Sequence, residues 1–166
     1  MSVRYFLSRK GLAALHLQQN NLIDDLSETT KAMGRSASLD NDLRENPEFM
    51  QLRTKVTYEI PAKLAAIQAV LSTHILIEKT EAVISNIFDE VLPGMEVQVK
   101  SQDGNTREFS IMGYDEGNPT QGVISYLSPI GLVLLNKEVG DEVYLPDNGK
   151  KVVYEVIQIS RSPWLD

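Results

Sequence analysis

The segment 38–49, which reads SLDNDLRENPEF, contains the acidic residues that are best placed for chemistry. The chain has no cysteine, and His16 and His74 are its two histidines, so any metal chemistry must use carboxylate and other oxygen ligands. Asp42 and Glu45 stand three positions apart, which is also the spacing of an N-cap acid and its capping-box partner. The spacing alone therefore leaves two interpretations open, a functional pair of carboxylates or a pair of helix caps.

The composition is that of an acidic folded protein. The 166 residues are 42% hydrophobic and 23% charged, and the formal net charge is −7. This charge disfavours binding along a nucleic-acid duplex, because sequence-independent affinity comes from Lys and Arg side chains that neutralise phosphates. The sequence has no 20-residue apolar run, no signal peptide and no glycine-rich phosphate loop. We therefore expect a cytoplasmic protein with a protein partner, no membrane contact and no sequence-specific DNA binding.

Two stretches with helical periodicity flank the acidic segment. In the first stretch the seam positions alternate spacings of three and four residues, the pattern of a coiled-coil heptad, and in the second stretch they also lie three or four residues apart. Two helices joined by a short connection pair antiparallel, so the acidic segment becomes the tip of a helical hairpin. The seam positions are Leu12, Leu15, Gln19, Leu22, Leu26, Thr29 and Met33 in the first stretch, and Phe49, Leu52, Val56, Ile60, Leu64, Ile67, Leu71 and His74 in the second.

Glycine and proline residues predict where these helices end. Gly34 is predicted to stop the first helix. Asn46 is predicted to cap the second helix, with Pro47 at its first position, where the missing N–H would have no partner in any case. Pro61 lies inside the second stretch, and we expect it to bend the helix without breaking it, because the seam continues in phase beyond it.

From about Glu90 onwards the apolar period changes to two, which is typical of β-strands. Turn signals such as Asp103-Gly104-Asn105 separate five short apolar runs. Between the third and fourth runs, Ser128 and Pro129 are predicted to be the N-cap and first residue of one short helix. The five runs are MEVQVKS, REFSIMG, QGVISYL, DEVYLP and KVVYEVIQI.

These patterns together predict an α+β protein with two domains. An N-terminal antiparallel helical hairpin, a coiled coil, occupies residues 1–84, with its acidic tip near 36–47. A small, mostly antiparallel β-sheet domain with one short helix occupies residues 85–166.

Three stretches of the sequence carry a family resemblance. They are GLAALHLQQNNL at the start of the first helix, DLRENPEF at the tip, and FSIMGYDEGNPTQGVISYLSPIGLVLLNKEVGDEV in the body. Together they resemble the Gre-type transcript cleavage factors, GreA and GreB, of bacterial RNA polymerase. The resemblance covers nearly the whole chain, and the body motif is its most specific part. It implies an FKBP-like C-terminal domain that docks on the polymerase, and a hairpin that enters the secondary channel.

The resemblance also implies what the tip does. Asp42 and Glu45, in DLRE, match the acids that help hold the second Mg²⁺ of the polymerase and orient the attacking water. A backtracked polymerase then cleaves its own transcript, so the factor is not itself an enzyme and holds no stably bound cofactor. Arg44, Arg35 and Arg53 lie on or near the tip, where the resemblance implies contacts to the 3′ end of the nascent RNA or to the channel wall.

In the body, the resemblance implies that Ser128, Pro129 and Ile130 belong to a loop associated with polymerase docking. His16 and His74 are expected to be packing or surface residues, and Asp40 a solvated loop residue.

The tip departs from the family pattern at three positions. Glycine is usual at Asn41, alanine or aspartate at Pro47, and tyrosine at Phe49. In the second helix, the family pattern has no proline at the position of Pro61. Two alternatives to cleavage therefore stay open. One is a regulator that occupies the secondary channel without stimulating cleavage. The other is a peptidyl-prolyl isomerase or chaperone-like module, although an FKBP-like fold alone does not confer that activity.

Overall fold

The computed structural model describes residues 3–39 and 42–165 of the chain. Their contacts divide into two units, Met1–Leu12 with His74–Asp166, and Ala13–Thr73. The second unit consists of paired helices and the first contains the β-strands, so the fold is α+β as predicted. Asp40 and Asn41, which the sequence analysis singled out in the tip, lie outside the described residues. Of the helices that are described, none is both long and apolar enough to cross a membrane.

Helix α1, Arg9–Leu39, forms the first arm of the hairpin. Its predicted seam is confirmed, because Leu15 and Thr29 are buried and the other seam positions are half-buried. The prediction that Gly34 stops the helix is wrong, since the helix continues to Leu39. A glycine inside a helix costs about 1 kcal/mol relative to alanine. We attribute the continuation to pairing of the seam through Ser36, which is 4% exposed and extends the same spacing.

The second arm consists of α2, Pro47–Thr54, a π-helical turn, Lys55–Glu59, and α3, Ile60–Thr73. The prediction for its start is confirmed, because Asn46 Oδ1 accepts a hydrogen bond from the Phe49 N–H at 3.1 Å and Pro47 occupies the first position.

The helix does not break at Pro61, and the π-helical turn lies directly before this proline. The Ile60 N–H bonds to the Lys55 carbonyl five residues back, instead of four. A π-helical turn contains one extra residue and interrupts the regular series of backbone hydrogen bonds, and a proline interrupts it because it has no N–H. Since the π-helical turn and Pro61 are adjacent, the helix has one interrupted site instead of two.

The two arms pair antiparallel, as predicted. Polar side-chain contacts between described residues join the two arms, and in them the residue number on the second arm falls as the residue number on the first arm rises. The contacts are Gln19 Nε2 to Gln68 Oε1 at 3.3 Å, Lys55 Nζ to Asp25 Oδ2 at 3.1 Å, and Asn46 Nδ2 to Ser36 Oγ at 3.0 Å.

A short parallel pair of strands ends the second arm earlier than predicted. The helical pattern was predicted to continue through His74, but α3 ends at Thr73. Residues His74–Leu76 form β2, which pairs in parallel with β1, Tyr5–Leu7. Residues at both ends of the predicted 1–84 hairpin therefore belong by their contacts to the same unit as the sheet.

The start of α1 is held by two carboxylates. Ser8 Oγ accepts a hydrogen bond from the Gly11 N–H at 3.0 Å, and the Ser8 N–H and hydroxyl both donate to the Glu116 carboxylate. The Arg9 N–H donates to Glu78 Oε1 at 2.9 Å. Negative charge is favourable at a helix N-terminus. A Cβ atom at position 11 would collide with the Glu116 carboxylate, so this close approach requires glycine.

The remaining strands form one five-stranded sheet. They are β3 Met95–Ser101, β4 Thr106–Met112, β5 Val123–Ser125, β6 Glu142–Asp147 and β7 Lys150–Arg161. Their order in the sheet is β5-β4-β3-β7-β6. Neighbouring strands are antiparallel except β4 and β5, which are parallel, so the predicted mostly antiparallel sheet is confirmed. The third predicted run forms only the three residues of β5.

The main core lies between the sheet and the short helix α5, Pro129–Leu134. A four-residue helix, α4, Glu81–Ile84, precedes the sheet along the chain. The predicted cap of α5 is confirmed, because Ser128 Oγ accepts from the Gly131 N–H at 3.0 Å. Leu134 is fully buried in this core, and Ile130 packs against it. The buried core residues of the sheet include Val97, Val99, Phe109, Ile111, Leu145, Tyr154 and Val156.

Candidate functional site

Asp42 and Glu45 lie on one exposed turn between the two arms. The Glu45 N–H donates to the Asp42 carbonyl oxygen at 3.3 Å, which closes a four-residue turn. The Arg44 N–H donates to Asp42 Oδ1 at 3.1 Å, so the aspartate side chain stabilises its own turn. Such a turn brings the Cα atoms of its first and fourth residues to within about 7 Å of each other. Both acids are solvent-exposed.

The turn geometry bears on the helix-cap interpretation of the two acids. Helix α2 begins at Pro47 and is capped by Asn46, so neither Asp42 nor Glu45 caps it. The hydrogen bond that Asp42 Oδ1 accepts from the Arg44 N–H is local to the turn. The arrangement leaves the two acidic residues at the surface, on the same turn, where they can meet a partner.

Buried polar contacts lie at the base of this turn. Asn46 is 9% exposed and Ser36 is 4% exposed, although every residue from 42 to 45 is exposed. Asn46 Nδ2 lies 3.0 Å from Ser36 Oγ and 3.4 Å from the Ser36 carbonyl oxygen. No pattern in the sequence predicted this contact. The signal that could have found it is the spacing of Ser36, three residues beyond the seam position Met33.

The three predicted arginines lie in the same unit as the acidic turn, and all are exposed. Arg44 is on the turn itself. Arg35 lies in the last part of α1, and Arg53 lies in the last turn of α2. The structure therefore places one cation between the two acids in sequence and one on each arm.

The predicted docking residues, Ser128, Pro129 and Ile130, belong to the other unit. Ser128 is fixed from two sides, because its hydroxyl also donates to the Ser125 carbonyl oxygen at 2.7 Å. Large apolar side chains are exposed on both sides of this helix start, with Leu127 44% and Leu132 60% exposed. The helix start thus combines a rigid backbone with an apolar surface.

Metal binding can be assessed from the donor atoms that the chain provides. Within residues 3–39 and 42–165, no group of three or more His, Cys, Asp or Glu side chains could hold a metal ion. Asp42 and Glu45 offer carboxylate oxygens, the ligands that Mg²⁺ prefers, but Mg²⁺ requires six ligands. The pair fits an ion that is shared with other molecules.

Comparisons with known proteins match both units. The family model described as the C-terminal part of the transcription elongation factors GreA and GreB matches residues 85–161. Transcription elongation factor GreA of Desulfovibrio desulfuricans is 31% identical over 155 residues, 93% of this chain and 92% of that protein. Transcription elongation factor GreA of Nautilia profundicola is 34% identical over 119 residues, 71% of this chain and 70% of that protein. Among solved structures, GreA factor homolog 1 of Thermus thermophilus is 21% identical, with a TM-score of 0.42 over 95% of this chain and 99% of that chain.

Proposed function

The chain belongs to the GreA/GreB family of transcription elongation factors, and from this premise we propose that it stimulates transcript cleavage by bacterial RNA polymerase. In this proposal the hairpin enters the secondary channel of the polymerase and brings its tip to a backtracked transcript. The observation that carries the proposal is the exposed turn that presents Asp42 and Glu45 together. These acids stand in the sequence DLREN, the tip motif through which the chain resembles the family.

Asp42 and Glu45 contribute carboxylate oxygens to a Mg²⁺ of the polymerase active centre and orient the attacking water. When bound, such an ion supplies Lewis-acid stabilisation of the charge that develops on the reacting oxygens. Mg²⁺ is commonly held by only one or two protein carboxylates together with phosphates and water. The chain therefore supplies some ligands of the Mg²⁺ site and the polymerase supplies the others. In this proposal the chain is not an enzyme on its own and holds no cofactor of its own.

Arg44 is proposed to contact the 3′ end of the nascent RNA, and Arg35 and Arg53 to contact the RNA or the channel wall. Guanidinium groups suit this role because they donate several hydrogen bonds in a plane and match phosphate geometry. The net charge of −7 disfavours nucleic-acid contact by the chain as a whole, so the contact is proposed only for these arginines on and beside the acidic turn.

Ser128, Pro129 and Ile130 are proposed to dock on the polymerase. The exposed Leu127 and Leu132 beside them offer the apolar area that a protein interface needs at its centre. Because Ser128 also caps α5, a change at this position must be checked for folding before any loss of binding is attributed to docking.

The first prediction tests the carboxylates directly. We add the protein to a halted, backtracked elongation complex with Mg²⁺ and follow the shortening of RNA 3′ ends. RNA 3′ ends should be shortened when the wild-type chain is added. With the double variant Asp42→Asn, Glu45→Gln the cleavage rate should be about a hundredfold lower, because losing a group that stabilises charge in the transition state typically lowers a rate by about this factor. Binding to the polymerase, measured in parallel, should not change.

A matched control is Glu48→Gln, which neutralises an exposed acid in the first turn of α2, outside the turn 42–45. It should cleave like the wild type. A wild-type chain that binds the complex without shortening RNA would instead identify a non-cleaving regulator of the channel. Equal cleavage by the wild type and the double variant would show that the two acids are not the functional groups.

A further inference from the structure

We infer that Asn46 and Ser36 form a clasp that positions the acidic turn, and that the rate of transcript cleavage depends on this clasp. The inference rests on the proposed function and deepens it. It assigns positioning roles to two residues that touch neither the RNA nor the ion.

The clasp joins the two arms at the base of the turn. Asn46 Nδ2 donates to Ser36 Oγ at 3.0 Å and approaches the Ser36 carbonyl oxygen at 3.4 Å. Asn46 Oδ1 accepts from the Phe49 N–H at 3.1 Å and caps α2. One side chain therefore connects the end of α1, the start of α2 and, through its own backbone, the preceding Glu45.

Burial makes the clasp specific. Asn46 and Ser36 are 9% and 4% exposed, and a buried polar group that loses its partner costs about 1–3 kcal/mol. Both polar atoms of the Asn46 side chain are used, so rotating the amide would leave its donor or its acceptor facing the wrong group. The amide therefore has one favourable orientation, which fixes the backbone at position 46.

A fixed Asn46 limits the freedom of the turn. Glu45 is its direct neighbour, and the Glu45 N–H bonds to the Asp42 carbonyl oxygen. The restraint thus reaches the backbone of both acidic residues through one peptide bond and one hydrogen bond. Ligands that are held in place before an ion arrives lose less entropy when it binds, and misplacement by about 1 Å can lower a rate by up to about a hundredfold.

Asn46→Ser is the most informative variant. It keeps a side-chain oxygen at the N-cap that can accept from the Phe49 N–H, and serine caps a helix about as well as asparagine does. It removes the amide group, and with it the Nδ2 donor to the two Ser36 oxygens, and the shorter side chain carries no group in its place. The variant therefore opens the clasp and leaves the helix cap in place.

Ser36→Ala is a second variant, which removes the hydroxyl acceptor and leaves Asn46 unchanged. Its matched control is Ser38→Ala, two positions along α1, where the hydroxyl is exposed and donates to the Arg35 carbonyl oxygen of the same helix.

The cleavage assay with a backtracked complex should separate positioning from folding and binding. At saturating protein concentration, RNA cleavage should be about tenfold slower with Asn46→Ser or Ser36→Ala than with the wild type. The protein concentration that gives the half-maximal rate should not change, because the docking surface is intact. The Mg²⁺ concentration for half-maximal rate should rise, because loosely held carboxylates bind the shared ion more weakly. Ser38→Ala should match the wild type in all three measurements.

A measurement without the polymerase tests the clasp by itself. In the free full-length protein, backbone amide order parameters at Leu43, Arg44 and Glu45 should fall in both clasp variants and not in Ser38→Ala.

Three outcomes would overturn the inference. The order parameters could be unchanged in the clasp variants, or the variants could depend on Mg²⁺ as the wild type does. The third outcome is a higher protein concentration for the half-maximal rate with no loss of rate at saturation. Failure of the wild-type chain to cleave would instead overturn the proposed function, and the order parameters would still decide whether the clasp holds the turn.

Discussion

Glu96 is a half-buried acid on β3, next to other polar residues of the sheet. Its pKa is raised above the usual value, first because burial penalises the charged form and then because of the negative charge of Glu108. A hydrogen bond from the Ser110 hydroxyl at 3.4 Å opposes the shift. The Ser110 hydroxyl in turn accepts from the Ser162 hydroxyl at 2.9 Å, which links β4 to the end of the chain.

The raised pKa of Glu96 predicts a pH effect on stability. Between the unfolded and folded pKa values, the folded chain binds more protons than the unfolded chain, so the stabilising contribution is present at low pH and decreases as pH rises through the folded pKa. Glu96→Gln removes this titration, so the variant should gain stability relative to the wild type as pH rises. Urea unfolding of both proteins between about pH 4 and pH 7 measures the difference.

The exposed Glu138→Gln in the same unit is the control for nonspecific charge effects. A stability difference between Glu96→Gln and the wild type that is constant with pH, or falls as pH rises, would contradict the assigned shift.

Gly34 is the weak position of the longest helix. It lies inside α1, and among the described residues no atom outside its chain neighbours and the adjacent backbone of its own helix stands within 4 Å of the place that a Cβ would occupy. Gly34→Ala should therefore raise the free energy of unfolding by about 0.5–1 kcal/mol, since alanine loses less backbone entropy in a helix. Urea or thermal unfolding of the full chain checks this.

Gly113→Ala is the opposite control, because its Cβ would collide with the Glu116 carboxylate and the Phe6 carbonyl oxygen. It should destabilise the protein. A Gly34→Ala variant that is also less stable would show that the helix does not run through this position.

The helical elements illustrate what the sequence could predict. The seam of each arm and the Asn46-Pro47 helix start depend on residues a few positions apart. Both are confirmed, except that the seam position His74 lies in β2. The end of α1 was mispredicted because a glycine signal is local, whereas the helix is extended by pairing with the other arm.

Features that join distant parts of the chain were not predicted. Strands β1 and β2 have three residues each and form only by pairing with each other across the whole hairpin. The contact between Asn46 and Ser36 depends on the register of the two arms, which one arm alone does not specify. At the tip, the choice of Asp42 and Glu45 rests on a motif, and their functional roles stay a prediction.

Burial is unevenly distributed between the two units. Of the twelve largest fully buried side chains among the described residues, Ile60 is the one that lies in Ala13–Thr73. The seam of the hairpin is mostly half-buried, whereas the sheet contributes residues with no exposed surface. The hairpin thus depends on fewer buried contacts for its stability.

Native-state hydrogen exchange should show this difference. Backbone amides of α1 beyond Ala13 and of α3 should exchange faster than those of β3, β4 and β7, because local opening of the hairpin exposes less buried apolar surface. Mass spectrometry of peptides from the exchanged full-length protein measures both. Equal protection in the two units would mean that the chain opens only as a whole.

The parallel pairing of β1 with β2 has a topological consequence. Parallel neighbours require a long crossover, and here the crossover is the hairpin itself, residues between Leu7 and His74. Paired strands fix where a crossover leaves and returns, but they do not fix its length. Removing one heptad from each arm in matched register would keep the seam in phase and shorten the arm by about 10 Å. The length of the hairpin can therefore change in steps of one heptad per arm while strands β1 and β2 at its base stay the same.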